Sequence, residues 1–151
     1  MDAIDRTILT VLQTDGRATL AKLAEATGLS ISAIQGRMHK LEASHTIEGY
    51  RAVISPGELG LMFSALIEIT PLDPSAPDDL PERLESIPEI EACYSVAGDA
   101  SYVLFARVAA PIDMEALLNR LRTEGEVRTR TTAVLSIPFE GRTYIPAERD
   151  Q

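Results

Sequence analysis

The sequence predicts an α+β protein, with an N-terminal winged helix-turn-helix followed by a ferredoxin-like βαββαβ domain. The first fifty residues contain three short stretches with apolar residues at helical spacing. From Phe63 onward, period-two apolar runs alternate with helical stripes. The predicted segments are a helix-turn-helix domain at 1–50, a strand-containing linker at 51–61, a ferredoxin-like domain at 62–140 and a tail at 141–151.

The charge of the chain is concentrated in its second half. The 151 residues carry a net charge of −9, which at first argues against a nucleic-acid partner. Residues 1–55 hold six basic and six acidic residues, whereas residues 56–151 hold eight and seventeen. Phosphate contacts need only local positive charge, so a DNA partner for the first half is not excluded.

The composition excludes several other classes of protein. No apolar run reaches the roughly 18 residues of a membrane span, and we expect a cytoplasmic protein with no membrane partner. The single cysteine, Cys93, falls in a strand pattern and predicts a buried structural thiol. Because no phosphate loop, zinc motif, CxxC or nucleophile elbow is present, we expect no enzyme activity, cofactor or metal.

Capping residues mark the three N-terminal helices. Asp2, Thr19 and Ser30 each precede an apolar stretch and are good N-caps. Asp15-Gly16 ends the first helix, and Gly28 lies in the turn between the second and third. We expect the side chains of Ile31, Ile34, Met38 and Leu41 to form the buried side of the third helix.

The spacing of Ala24, Gly28 and Ile34 predicts a helix-turn-helix. A small residue suits the helix crossing, a glycine suits the tight turn, and an aliphatic residue packs back into the crevice. An αα-hairpin that only packs against another element is the alternative.

The outward face of the third helix carries hydrogen-bonding side chains suited to the major groove. Ser32 and Gln35 are candidates for base contacts, and Arg37, His39 and Lys40 for phosphate contacts, with the cap Ser30 beside them. A merely solvated face is the alternative for each residue. Residues 49–54 then have strand character and predict a wing or connecting arm.

The second half predicts strands at 63–70, 91–97, 101–109 and 128–137, with helices at 78–87 and 112–124. In a ferredoxin-like domain both helices cover one sheet face. We expect that the two helices do not reach all of Tyr94, Val96, Leu104 and Val134, which would leave an apolar patch on the other face and indicates self-association. Two DNA-binding heads would then read a pseudo-palindromic site.

The chain resembles the Lrp/AsnC, or feast/famine, family of transcriptional regulators over roughly residues 2–145. The residues that carry the resemblance are Leu23-Ala24, Gly28-Leu29-Ser30, Arg37, Leu41-Glu42, Ile47-Glu48-Gly49-Tyr50, Ile69–Ser75 and Cys93–Gly98. His45 stands where the family usually has glycine, a position that suits a left-handed backbone.

The resemblance implies a homodimer that assembles further to an octamer, with an amino-acid effector bound where subunits meet. The effector residues would be those of the turn between the middle strands, Gly98, Asp99, Ala100, Ser101 and Tyr102. Backbone amides there can bind a carboxylate, and Asp99 can pair with an α-ammonium. Ser101 replaces the second acid of the family's GDxDY pattern, so the family's usual ligands do not transfer directly. A purely structural hairpin turn is the alternative.

Two further alternatives stay open, one for the arginines of the last strand and one for the function of the whole chain. Arg128 and Arg130 favour either salt pairing within the acidic domain or ligand binding. The whole chain favours a DNA-binding regulator, and the rival is a small-molecule-binding oligomer whose first domain contacts protein. Beyond Pro146 the polar tail predicts disorder.

Overall fold

The computed structural model describes residues 1–75 and 79–146. These residues form two compact units, Met1–Val53 with the chain from Phe139 onward, and Ile54–Pro138. The tail beyond Pro146, predicted to be disordered, lies outside the described residues. Among those described, no helix is long and apolar enough to cross a membrane.

The first unit is a three-helix domain formed by α1 (Ala3–Thr14), α2 (Leu20–Thr27) and α3 (Ile31–Ala43). The predicted caps are all present: Asp2 accepts from the Asp5 backbone N–H, Thr19 from that of Lys22 and Ser30 from that of Ala33. The buried centre is shared among the helices and consists of Ile8, Leu23, Ile34 and Leu41.

The turn between α2 and α3 has the predicted geometry. Gly28 has φ of 73°, in the left-handed region, and its N–H donates to the Ala24 carbonyl at 2.9 Å. Ile34 is fully buried, as the spacing predicts. Ile31 differs from the prediction and is 53% exposed, because it begins α3 one turn before the residues that pack against the other helices.

A left-handed residue also ends α3. His45 has φ of 54°, as expected from its place in the sequence. Its N–H donates to the Glu42 carbonyl at 3.0 Å, and the Thr46 N–H donates to the Leu41 carbonyl at 2.9 Å. These two bonds form a Schellman motif, which usually holds glycine at the position of His45.

We expect His45→Gly to stabilise the N-terminal unit by about 1 kcal/mol, because a left-handed backbone penalises a residue with a Cβ. The neighbouring Ser44 has φ of −85° and is the matched control, for which glycine should lower the stability. Thermal unfolding followed by circular dichroism at 222 nm measures both. A destabilised His45→Gly variant would contradict the prediction.

The predicted wing is absent from the single chain. Residues 44–62, all of which the structure describes, contain one 3-10 turn at Gly57–Leu59 and no strand. Val53 is 97% exposed. Strand propensity at 49–54 is not enough to form a β-strand, because an extended segment needs a neighbouring strand to pair its backbone groups.

The first unit also includes the chain after the last strand. The Gln13 side-chain amide donates to the Thr143 carbonyl at 3.0 Å, and the Arg6 guanidinium donates to the Pro146 carbonyl. Residues 139–146 therefore pack along α1 rather than forming a separate tail.

The second unit has the predicted βαββαβ order. Its elements are β1 (Phe63–Pro71), α4 (Leu80–Glu85), β2 (Ile90–Ser95), β3 (Tyr102–Val108), α5 (Pro111–Glu124) and β4 (Val127–Val134). The strands form one antiparallel sheet in the order β2-β3-β1-β4, with Ile69 opposite Tyr102 and Thr70 opposite Arg128.

Both helices pack on one face of this sheet. Their buried partners alternate along the strands, as Ala65, Ile67 and Ile69 do in β1. Of the four apolar strand residues that the helices were not all expected to reach, Leu104 is fully buried in this core. The sequence pattern of β3 is apolar on both faces, so periodicity does not show which set of its side chains meets the helices.

Two other predictions for the sheet can be compared with the structure. Tyr94 is 55% and Val96 37% exposed, as expected of the open face. Cys93, predicted to be buried, is exposed. Its strand, β2, is at the sheet edge, and α4 is too short to cover it.

Candidate nucleic-acid interface and ligand site

The outward face of α3 is the first candidate site. We call it the recognition face and define it by five exposed residues: Ser32, Gln35, Gly36, His39 and Lys40. Ile34 and Leu41 anchor the opposite side of the helix in the core, which fixes the direction of this face. The face presents hydroxyl, amide, imidazole and ammonium groups without an acidic residue among them, which suits a DNA groove.

Ser30 belongs to the start of this face. Its hydroxyl caps α3 and lies 3.1 Å from the Ser32 hydroxyl. The two hydroxyls sit at a helix N-terminus, where the partial positive charge of the backbone favours phosphate. Ser30 therefore stabilises the N-terminus of α3 and lies beside the residues predicted to contact DNA.

Arg37 is held by α1. Its Nη1 nitrogen lies 2.7 Å from a carboxylate oxygen of Asp2 and 2.7 Å from one of Asp5. The backbone N–H of Asp5, followed by the Arg37 guanidinium, lowers the pKa of Asp2 to about 2, so this carboxylate is charged at neutral pH. A phosphate contact by Arg37 would have to use its remaining nitrogens, because Nη1 is occupied.

Sequence reasoning did not anticipate this bridge between α1 and α3. Asp2 and Asp5 already form a reciprocal capping box, which the spacing could have shown. Nothing in the spacing shows that a guanidinium 32 residues further along the chain meets the same two carboxylates.

A second bond missed in the sequence ties the segment after α3 to the helix. The Tyr50 hydroxyl donates to a Glu42 carboxylate oxygen at 2.9 Å. Burial and the Glu42 carboxylate both raise the pKa of Tyr50. The bond joins two of the short motifs that carry the family resemblance, the Leu41-Glu42 pair and the Gly49-Tyr50 pair.

The second candidate site is the loop between β2 and β3. The hairpin is present, but its loop spans six residues, 96–101, instead of a two-residue turn. Gly98 does not have positive φ, so a primed turn is not formed. The Val96 N–H donates to the Ser101 carbonyl and the Ser101 N–H to the Ile69 carbonyl, which hold the loop against the sheet.

This loop borders two recesses. The larger, of about 640 Å³, is lined by Ser95–Gly98, Ala100–Tyr102, the end of β1, Asp73, Pro74, Leu80 and Arg128. The smaller, of about 200 Å³, is lined by Asp99 with Glu68, Thr70, Arg128 and Arg130. All five predicted effector residues thus line one recess or the other, and the larger has the size of a small-molecule site.

Together these features define a class of protein in which a helix-turn-helix domain is joined to a ferredoxin-like domain with a recess for a small molecule. Comparison with known protein families leads to the same class. Residues 1–42 match the AsnC-type helix-turn-helix domain, and residues 64–144 match the Lrp/AsnC ligand binding domain.

Relatives cover nearly the whole chain. The HTH-type transcriptional regulator LrpA of Mycobacterium tuberculosis is 51% identical over 97% of this chain and 97% of its own. The leucine-responsive regulatory protein of Escherichia coli is 36% identical over 89% and 85% of the two chains. A solved structure of a feast or famine regulatory protein from M. tuberculosis, complexed with L-methionine, superposes with a TM-score of 0.93, at 52% identity over 96% and 99% of the chains.

The chain belongs to the Lrp/AsnC family, and it is a transcriptional regulator. These relatives are named as regulators and not as enzymes, in agreement with the expectation from the sequence.

Proposed function

We propose that this regulator binds a pseudo-palindromic DNA site as a homodimer and that an amino acid bound beside the β2–β3 loop controls it. The recognition face is the observation that supports DNA binding. It is exposed and free of acidic side chains, and the opposite side of its helix is packed into the core of the first unit. The five proposed contacts are Ser30 and Ser32 at the helix start, Gln35, His39 and Lys40. Arg37 acts mainly by holding α3 on α1.

The open face of the sheet supports the proposed dimer. Leu66 is 40% and Tyr94 55% exposed there, beside the half-buried Val103 and Phe105. Arg107 lies nearly buried on the same face, stacked over Phe105 and paired with Glu91 at 3.2 Å. An apolar face of this kind in a water-soluble domain usually marks an interface. We propose further assembly to an octamer on the family resemblance alone.

The ligand part of the proposal has two supports. The feast or famine regulatory protein from M. tuberculosis is complexed with L-methionine, and the E. coli relative is named as leucine-responsive. In this chain the recess beside the loop combines polar loop groups with apolar walls from Leu80, Val96 and Tyr102. We propose an amino acid with an apolar side chain as the effector.

Selection of a binding site from random duplexes tests the DNA function. We expect an enriched inverted repeat with half-sites one helical turn apart, or a multiple of it, and a steep loss of affinity with salt. Recovery of no motif, with equal binding to the selected and the starting library, would favour the rival function of a protein-interaction head.

Replacement of Gln35 and replacement of Lys40 should have different effects on DNA binding. Gln35→Ala should change the base preference at one position of each half-site, because an amide side chain reads base edges. Lys40→Ala should weaken binding to all sequences alike. It should also lower the slope of the logarithm of the DNA-binding constant against the logarithm of the salt concentration by about 1 per DNA-binding domain. Repeating the selection and the salt titration with each variant measures this. Equal loss on selected and scrambled duplexes for Gln35→Ala would overturn its assignment.

Calorimetry with the twenty amino acids tests the effector. We expect saturable binding of methionine, leucine or another apolar amino acid. Absence of binding by all twenty would remove the ligand part and leave a constitutive DNA-binding regulator.

A further inference from the structure

We propose that Arg128 binds the α-carboxylate of the effector, opposite Asp99, which binds its α-ammonium. This inference rests on the proposed function and assigns a new residue to the same site. The sequence left open whether Arg128 and Arg130 pair with acidic residues or bind ligand. The structure separates the two arginines.

Across the β1–β4 pair, Arg130 lies opposite an acidic residue, whereas Arg128 lies opposite a threonine. Nη1 of Arg130 lies 3.8 Å from a carboxylate oxygen of Glu68, which is opposite it on β1. Arg128 is opposite Thr70, so its cross-strand neighbour offers no charge. Within residues 1–75 and 79–146, the side chains of Arg128 and Asp99 have neither a hydrogen bond nor an ion pair.

The position of Arg128 is the second argument. It lines both recesses, together with Thr70 and Ala100, and thus stands at their junction. Asp99 lines the smaller recess, and its neighbours Gly98 and Ala100 line the larger. One guanidinium and one carboxylate, both exposed and unpaired in this part of the chain, therefore border the same space.

A free amino acid at neutral pH matches this arrangement of charge. Its carboxylate accepts two parallel hydrogen bonds from a guanidinium, and its ammonium donates to a carboxylate. The apolar walls formed by Leu80, Val96 and Tyr102 would then contact the side chain. An acid without an amine, or an amine without an acid, would leave one of the two protein charges unpaired.

The test compares L-methionine with L-methioninol, which lacks the carboxylate, by calorimetry on the full chain. L-leucine and L-leucinol serve if leucine binds more tightly. In the unmodified protein we expect the amino acid to bind about 10- to 100-fold more tightly than the alcohol. In Arg128→Gln we expect the amino acid to lose that factor and the alcohol to bind as before, so that the preference disappears.

Two variants serve as controls. Arg122→Gln removes the same charge from α5, where Nε donates to the Thr129 hydroxyl at 2.8 Å, and should leave the preference intact. Arg128→Lys keeps the charge but not the planar fork and should retain part of the preference. Circular dichroism shows whether each variant is folded.

The outcomes distinguish the inference from the proposed function. If the unmodified protein binds the amino acid and Arg128→Gln keeps its preference over the alcohol, Arg128 is not the carboxylate ligand, while the proposed effector stands. If Arg122→Gln loses the preference equally, the effect is one of overall charge and the inference also fails. If the unmodified protein binds none of the twenty amino acids, both are overturned.

Discussion

Leu104→Ala should lower the free energy of unfolding of the ferredoxin-like domain by about 2–5 kcal/mol. Leu104 is fully buried in β3, where it belongs to the core between the sheet and the two helices. Truncation to alanine removes buried methyl groups and leaves a cavity that the strand cannot fill, since β3 is paired on both sides by β1 and β2. Urea unfolding, with hydrogen exchange of β1 and β3 to localise the loss, measures it.

Leu66→Ala is the matched control on the neighbouring strand. Leu66 lies on the open face and is 40% exposed, so its truncation should change the stability of the subunit by only about 0.5 kcal/mol. The same change should weaken the proposed dimer, which sedimentation velocity over a range of protein concentrations detects.

The pair of variants decides which face meets the helices. The Leu104→Ala loss should be the same at every protein concentration, because it arises within one subunit. The Leu66→Ala effect should grow on dilution, because it arises from association. A small, concentration-dependent effect of Leu104→Ala would mean that the face assignment in the structure is reversed.

Arg37→Ala should lower the affinity for the selected DNA roughly tenfold, by releasing the recognition helix from α1. Nη1 of Arg37 binds carboxylates of both Asp2 and Asp5, and Asp5 is buried. Without the guanidinium the two carboxylates are left close together near the start of α1, and the contact between α1 and α3 is lost. Fluorescence anisotropy with the selected duplex measures the affinity.

The salt dependence separates positioning from phosphate contact. If Arg37 acts by positioning α3, its replacement lowers the affinity and leaves the slope of log K against log salt unchanged. Lys40→Ala should instead reduce that slope by about 1 per DNA-binding domain. An equal reduction of the slope by Arg37→Ala would assign Arg37 to the phosphate backbone.

Asp5→Asn distinguishes a positioning role of Arg37 from an effect of overall charge, because the two explanations predict opposite changes in DNA affinity. Removal of a negative charge near DNA should raise the affinity if only overall charge matters. We expect the affinity to fall, because the amide no longer holds the guanidinium. Asp15→Asn is the matched control, since Asp15 pairs with Lys22 at 2.7 Å and not with Arg37. A rise in affinity for both variants would contradict the positioning role.

Much of the local structure could be predicted because its causes are local. Asp2, Thr19 and Ser30 satisfy the free N–H groups of their own helices within three residues. Gly28 and His45 both have the left-handed backbone expected of them, because the steric cost of such a φ depends on the residue itself. The order of strands and helices in the second domain follows in the same way from the period of its apolar residues.

Other features could not be predicted because they depend on residues far apart in the chain. The strand pattern at 49–54 pairs with no strand in residues 1–75 and 79–146, Cys93 is exposed because α4 ends early, and Arg37 contacts carboxylates at the start of another helix. In β3 the side that meets the helices depends on which strands flank it, so the sequence does not show on which side Leu104 lies.

The sequence by itself therefore determined the class of this protein, because helix caps, turn residues and hydrophobic period are written within a few residues of each other. It also predicted the recognition face and the loop that borders the proposed effector site. Only the tertiary structure decided which charges are already paired. Arg37 is held by Asp2 and Asp5 and Arg130 lies near Glu68, whereas Arg128 faces the recess without such a partner among the described residues. Charge pairing depends on distances across the fold, and these distances do not appear in the spacing of residues along the chain.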